Sequence, residues 1–200
     1  MYQNQLTEED VKTFLLIAYF GDFRDDPIYV AANNAYLDLC RTIKFKTIPS
    51  ITEEKKAELR RWSVDKIRSS VIELSEIADL DCEKFDNWHK ILCNALKKHY
   101  NDNGVQFHYG QAQKWVNMTM KYLSVIDRNA TAPYFAYLHV PVDSIVIDLA
   151  SEELGLVRPQ SRWSRMASDE YIEYQKALCN AIREHNNLAP MLWEFRCWNR

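Results

Sequence analysis

Glycine occurs only four times in the 200 residues of this chain. Positive backbone φ is cheap for glycine alone, and the tight turns of β-hairpins depend on it. A chain this poor in glycine has few places where one strand can double back on the next. The predicted fold class is therefore all-α. Hydrophobic residues make up 47% of the sequence, enough to fill a core. The length suits one compact domain over 1–200, with two helical lobes sharing a cleft. No apolar run reaches the ~18 residues of a membrane span. The opening residues Met1 to Gln5 lack the charge and apolar stretch of a signal peptide, so a cytoplasmic location is expected.

Helical spacing appears early. Thr7-Glu8-Glu9-Asp10 reads as a cap with acids in the first turn, leading into Val11, Phe14, Leu15, Ala18 and Tyr19. Further helices are predicted over 30–44 and 52–69, with 71–78 continuing the latter or starting another. Asp86-Asn87 reads as the cap of a helix through Leu96, and Asn101-Asp102-Asn103-Gly104 as a turn. Helices follow over 113–125, 143–154, 168–186 and 191–198, with loops at Thr47 to Ser50 and at 130–137. Ser144 to Ile147, rich in β-branched side chains, is ambiguous between helix and strand.

Cys40, Cys82, Cys93, Cys179 and Cys197 are scattered, and none forms a C-x-x-C pair. Neither a zinc ribbon nor an iron–sulfur site is expected, nor any other metal or cofactor. The net charge of −3 argues mildly against nucleic acid. However, Lys97, Lys98, Lys114, Arg158, Arg162 and Arg165 all fall beyond residue 96, enough for a local basic face.

Two residues stand out chemically. Lys114 follows Gly110 and belongs to the first turn of a predicted helix, where the positive end of the helix favours a neutral amine. A lysine partly desolvated in a cleft becomes a nucleophile near neutral pH. Asp143 follows Pro141-Val142 at a predicted helix start, where amides keep a carboxylate ionised and able to stabilise positive charge. The plainer reading makes Lys114 a solvated lysine and Asp143 a cap. Lys121, two turns beyond Lys114, competes for the nucleophile's role, and His139 is either a proton-path residue or a structural histidine.

Gly110-Gln111-Ala112-Gln113-Lys114 followed by Pro141-Val142-Asp143 resembles the active site of the helix-hairpin-helix DNA glycosylases with a lysine nucleophile, the 8-oxoguanine DNA glycosylase/lyase type. The segment from Lys114 to Lys121 is most similar to the archaeal branch of that family. The resemblance covers roughly 104–148. It departs from the family's Gly-hydrophobic-Gly-x-Lys hairpin at Gln111 and Ala112. The resemblance implies a helix-hairpin-helix glycosylase fold and a monomer acting on double-stranded DNA that carries a damaged or modified base. Lys114 would attack the sugar C1′ and Asp143 would stabilise the developing charge. Gly110, Gln111 and Ala112 would grip the DNA backbone.

A base pocket needs flat side chains and a few polar groups. Trp62, Trp88, Trp163, Trp193, Phe195 and Trp198 are the aromatic candidates, and Gln175, Asp169 and Glu194 the polar ones. Trp193, Phe195, Gln175, His139 and Trp163 are the expected base-binding set, and Arg162 and Arg165 the expected phosphate ligands. Two substrates fit this class: 8-oxoguanine in repair, and a hypermodified cytosine of phage DNA, such as a glucosylated one, in antiviral defence. A non-catalytic helical DNA-binding module is the alternative of another class.

Overall fold

The computed structural model describes residues 5–45 and 51–198; the opening residues Met1 to Asn4 and the loop read at Thr47 to Ser50 lie outside them. Among the described residues there is no strand. The helices are α1 (Glu8–Phe20), α2 (Pro27–Leu37), α3 (Glu53–Ser75), α4 (Cys82–Asp102), α5 (Tyr109–Ile126), α6 (Arg128–Thr131), α7 (Ser144–Leu154), α8 (Ser168–Asn186) and α9 (Pro190–Trp198). Short 3₁₀ turns occupy Cys40–Thr42, Ala132–Tyr137 and Trp163–Arg165. The all-α expectation holds.

Local chemistry explains most boundaries. Thr7 accepts from the Asp10 amide and Asp10 returns the bond to the Thr7 amide, a reciprocal cap that starts α1. Pro27 opens α2 behind an Asp26 cap. Asp81 caps α4 by accepting from the Lys84 amide at 2.8 Å. The helix therefore begins a turn ahead of the predicted cap, and Asp86 and Asn87 lie inside it. Asp143 caps α7, with Oδ1 accepting from the Val146 amide, and the ambiguous Ser144 to Ile147 stretch is helical. Gly155 closes that helix in the left-handed region at φ 63°. The predicted helix over 30–44 is broken at Leu37 and resumes as the 3₁₀ turn Cys40–Thr42. The expected loop at 130–137 is instead α6 and a 3₁₀ turn.

The core is arranged around α5, which packs chiefly against α2 and α4. Every residue of α5 from Tyr109 to Lys121 is buried. A helix enclosed on all sides should be apolar throughout, yet α5 carries Gln111, Gln113, Lys114, Asn117, Thr119, Lys121 and Ser124. Each of these needs an internal partner. Thr119 and Ser124 satisfy themselves by donating to the carbonyls of Trp115 and Met120. The rest reach other parts of the chain. By contrast α1 buries none of its residues, and Phe14, Leu15 and Tyr19 stand exposed on it.

Candidate active site

Gln113 and Val142 set the register of the site. The Gln113 side chain donates to the Val142 carbonyl at 2.7 Å and accepts from the Val142 amide at 3.2 Å. This reciprocal amide clasp ties the middle of the chain to the segment entering α7. The next residue on each side belongs to an ion pair. Lys114 Nζ donates to Asp143 Oδ2 at 2.6 Å. Their side chains are 7% and 15% exposed, so the pair sits at the edge of the protein rather than sealed within it. Asp143 Oδ1 is held by the amide of Val146, leaving Oδ2 for the ammonium.

A second buried pair lies two turns along α5. Lys121 Nζ donates to Glu194 Oε1 of α9 at 2.7 Å. Trp198 Nε1 donates to the same oxygen at 2.8 Å. The Lys121 ammonium lies 4.8 Å from the Trp198 ring centre and 5.2 Å from that of Phe195, within range of a cation–π attraction. Burial holds the Lys121 ammonium below its ordinary value, against the opposing pull of Glu194. Lys114 and Asp143 also act on Lys121, and all three act on Asp38, whose carboxyl accepts from the Tyr122 hydroxyl at 2.9 Å. Partial burial lifts the Asp38 carboxyl above its usual value. Asp38, Lys114, Asp143, Lys121 and Glu194 thus form one cluster of alternating charge, with the exposed Trp198 at its border. Glu194 Oε2 is buried and has no hydrogen-bond partner among the described residues.

Behind the charges lies a neutral polar network. Asn117 donates to Gln113 Oε1, to the Val140 carbonyl and to the Tyr171 hydroxyl. Its own carbonyl lies 3.0 Å from His89 Nε2. His139 places Nδ1 3.0 Å from the Tyr171 hydroxyl and Nε2 2.8 Å from Asp86 Oδ1. Full burial, and next the neighbouring His139, hold His89 well below its usual value, so it is a neutral ring in the core.

The expected site residues divide among several places. Lys114 and Asp143 meet. His139 and Gln175 line a cavity of about 480 Å³, together with Asp86, Tyr109, Tyr137 and Arg183. That cavity is big enough for a base, but neither Lys114 nor Asp143 lines it. Phe195 belongs with Lys121. Trp193 is 1% exposed and fills the core. Trp88 is likewise buried and donates to the Ser70 carbonyl, while Trp62 stacks on His99. Trp163 packs beside Gly110, and Arg162 and Arg165 are exposed on the turn that flanks it.

The hairpin residues require a correction. Gly110, Gln111 and Ala112 are buried and their backbone amides are bonded within the protein rather than offered to a DNA backbone, although the Gln111 side chain borders a small cleft beside Thr42. The Gly110 amide donates to the Met166 carbonyl, and the amides of Gln111 and Ala112 donate to the His108 carbonyl. The reason for glycine here is the turn at Trp163–Arg165. A Cβ on Gly110 would fall 1.8 Å from the Trp163 carbonyl oxygen. Gln111 is satisfied from both ends, accepting from the His108 amide and donating to Thr42 Oγ1.

Sequence reasoning placed Lys121 only as a rival of Lys114, although their two-turn spacing put them on one face. Asp38 and its partner Tyr122 left no local signal, because the distance between them in sequence is large. Among the described residues no group of three or more His, Cys, Asp or Glu is placed to hold a metal ion. No helix of the described residues is long and apolar enough to cross a membrane. Compared with protein-family models, curated proteins and solved structures, the chain matches none.

Proposed function

We propose that this chain is a DNA glycosylase with lyase activity, removing a damaged or modified base through a Schiff base on Lys114. The observation that carries the reading is the hydrogen bond from the Lys114 amine to Asp143 Oδ2, between side chains 7% and 15% exposed. The fold would then be of the helix-hairpin-helix glycosylase type, with the charged cluster in the cleft between two lobes.

An extruded nucleotide brings its sugar C1′ to Lys114. The ammonium first gives up a proton to solvent, so that Asp143 stays a carboxylate beside the neutral amine. The amine's electron pair then forms a bond to C1′ as the bond from C1′ to the base breaks. The base leaves with those electrons and takes a proton. Positive charge builds on the sugar during this step, and the Asp143 carboxylate, fixed as a helix cap, stabilises it without reorganising. The C1′–O4′ bond then breaks to give the iminium, the attached nitrogen losing a proton as O4′ takes one, and loss of a C2′ proton expels the 3′ phosphate, cutting the strand. The departing base has two kinds of group waiting in the same cluster. Glu194 Oε2 offers an acceptor for a ring N–H, and Trp198 and Phe195 offer flat faces. 8-Oxoguanine, which carries an additional ring N–H, suits such an acceptor. A hypermodified cytosine would undergo the same chemistry at the sugar.

Borohydride trapping tests the nucleophile and the substrate together. Duplexes carrying 8-oxoguanine, glucosylated hydroxymethylcytosine or an abasic site are incubated with the protein and reduced. The wild type should give a covalent adduct and Lys114→Gln none. An undiminished adduct from Lys114→Gln would move the nucleophile elsewhere, Lys121 being the nearest amine in the cluster. Binding without an adduct on any duplex would leave the non-catalytic module.

A further inference from the structure

With the amides of the α5 start committed inside the protein, a DNA strand needs another grip. We infer that a small cleft beside that helix start is a phosphate site, lined by Arg41, Lys44, Arg162 and Arg165, and that it takes a phosphodiester of the strand entering the active site. This rests on the glycosylase reading for its ligand, but not for its chemistry.

The cleft measures about 180 Å³, and its remaining lining includes Thr42 and His108. It is smaller than the ~300–1,000 Å³ of small-molecule sites, a size suited to a single phosphate group. Its charge is the decisive feature. Arg41, Arg162 and Arg165 form no ion pair among the described residues, whereas Arg158, nearby in sequence, is spent on Asp148. No carboxylate lines the cleft among the described residues. Guanidinium groups are fitted to phosphate by their planar array of donors. Burial, and next the positive charges of Arg165 and Lys97, hold the His108 imidazole below its usual value.

The position of the cleft is as informative as its charge. Arg162 and Ser164 also line the adjoining surface groove of about 410 Å³, whose far wall includes Ser144, the residue after Asp143. The cleft and the groove thus share lining residues, and the groove reaches the residue next to Asp143. The floor is rigid: Thr42 is fixed by donating to the Leu39 carbonyl and accepting from Gln111, and the turn bearing Arg165 is clamped on Gly110.

The test uses the full chain and a fluorescent duplex without any modified base, so that excision plays no part. Arg41→Gln with Arg165→Gln should weaken binding at least tenfold and lower the slope of log affinity against log salt by about 1, for the one phosphate charge no longer neutralised. Arg41→Lys with Arg165→Lys, which keeps the charge, should recover most of the affinity. Isothermal titration with inorganic phosphate and with a mononucleotide separates the sources. If the Gln variants lose only these and bind duplex as the wild type does, the strand assignment fails. An unchanged affinity and salt slope in the folded Gln variants overturns the site altogether. If those variants lose duplex binding while even the wild type traps no adduct, the phosphate site stands and the catalytic reading falls.

Discussion

Asp143 serves two masters, one oxygen for the helix amide and the other for the ammonium. Asparagine caps a helix as well as aspartate does, so Asp143→Asn separates the roles. It should keep α7 and slow base release by about 10²–10³-fold in single-turnover excision, the usual loss when preorganised charge stabilisation is removed. A normal rate in that variant would reduce Asp143 to a cap. The Lys121–Glu194 pair is more deeply buried, at 9% and 3% exposure. Glu194→Ala strands a buried ammonium, and removing one partner of a buried pair costs about 3–5 kcal/mol. Thermal melting should show a clear loss for Glu194→Ala and a smaller one for Lys121→Met combined with Glu194→Met, which removes both charges.

The helices themselves were largely legible, and their surroundings were not. The Pro141-Val142-Asp143 cap, the Gly104 turn and the final helix are written locally, in residues that punctuate the backbone wherever they occur. The enclosure of α5 is not local. Its polar side chains find partners at Thr42, Val142, Tyr171 and Glu194, all outside the window in which periodicity is read. Trp193 misled for a related reason: an aromatic residue looks the same in a pocket and in a core until its neighbours are known. The hairpin glycine shows the same limit. Its motif was visible at Gly110, but the obligation comes from the Trp163 carbonyl. Gly110→Ala should therefore cost about 1–3 kcal/mol in urea unfolding, as overpacking does, and shift the turn that bears Arg165. A variant as stable as the wild type would show that this turn yields freely.

Stability of the whole molecule should fall on acidification. His89, His99 and His108 are all held below the ordinary value of 6.5, chiefly by burial. Below that value the unfolded chain takes up protons that the native protein refuses, so native stability is present above it and lost as pH falls. A fully buried ring such as His89 contributes a slope of up to about 1.4 kcal/mol per pH unit. The urea midpoint should drop between pH 7.5 and 5.5, and His89→Gln should flatten the drop; a midpoint independent of pH would contradict the buried neutral ring. One arrangement affects how every active-site variant will be read. The gap between amine and carboxylate is inherited from Gln113 and Val142, neighbours that carry no charge and take no part in the chemistry. On the proposed reading, Lys114 or Asp143 can be replaced and the Gln113–Val142 clasp will still hold its place like an empty jig, so a silent variant reports lost reactivity rather than a collapsed frame.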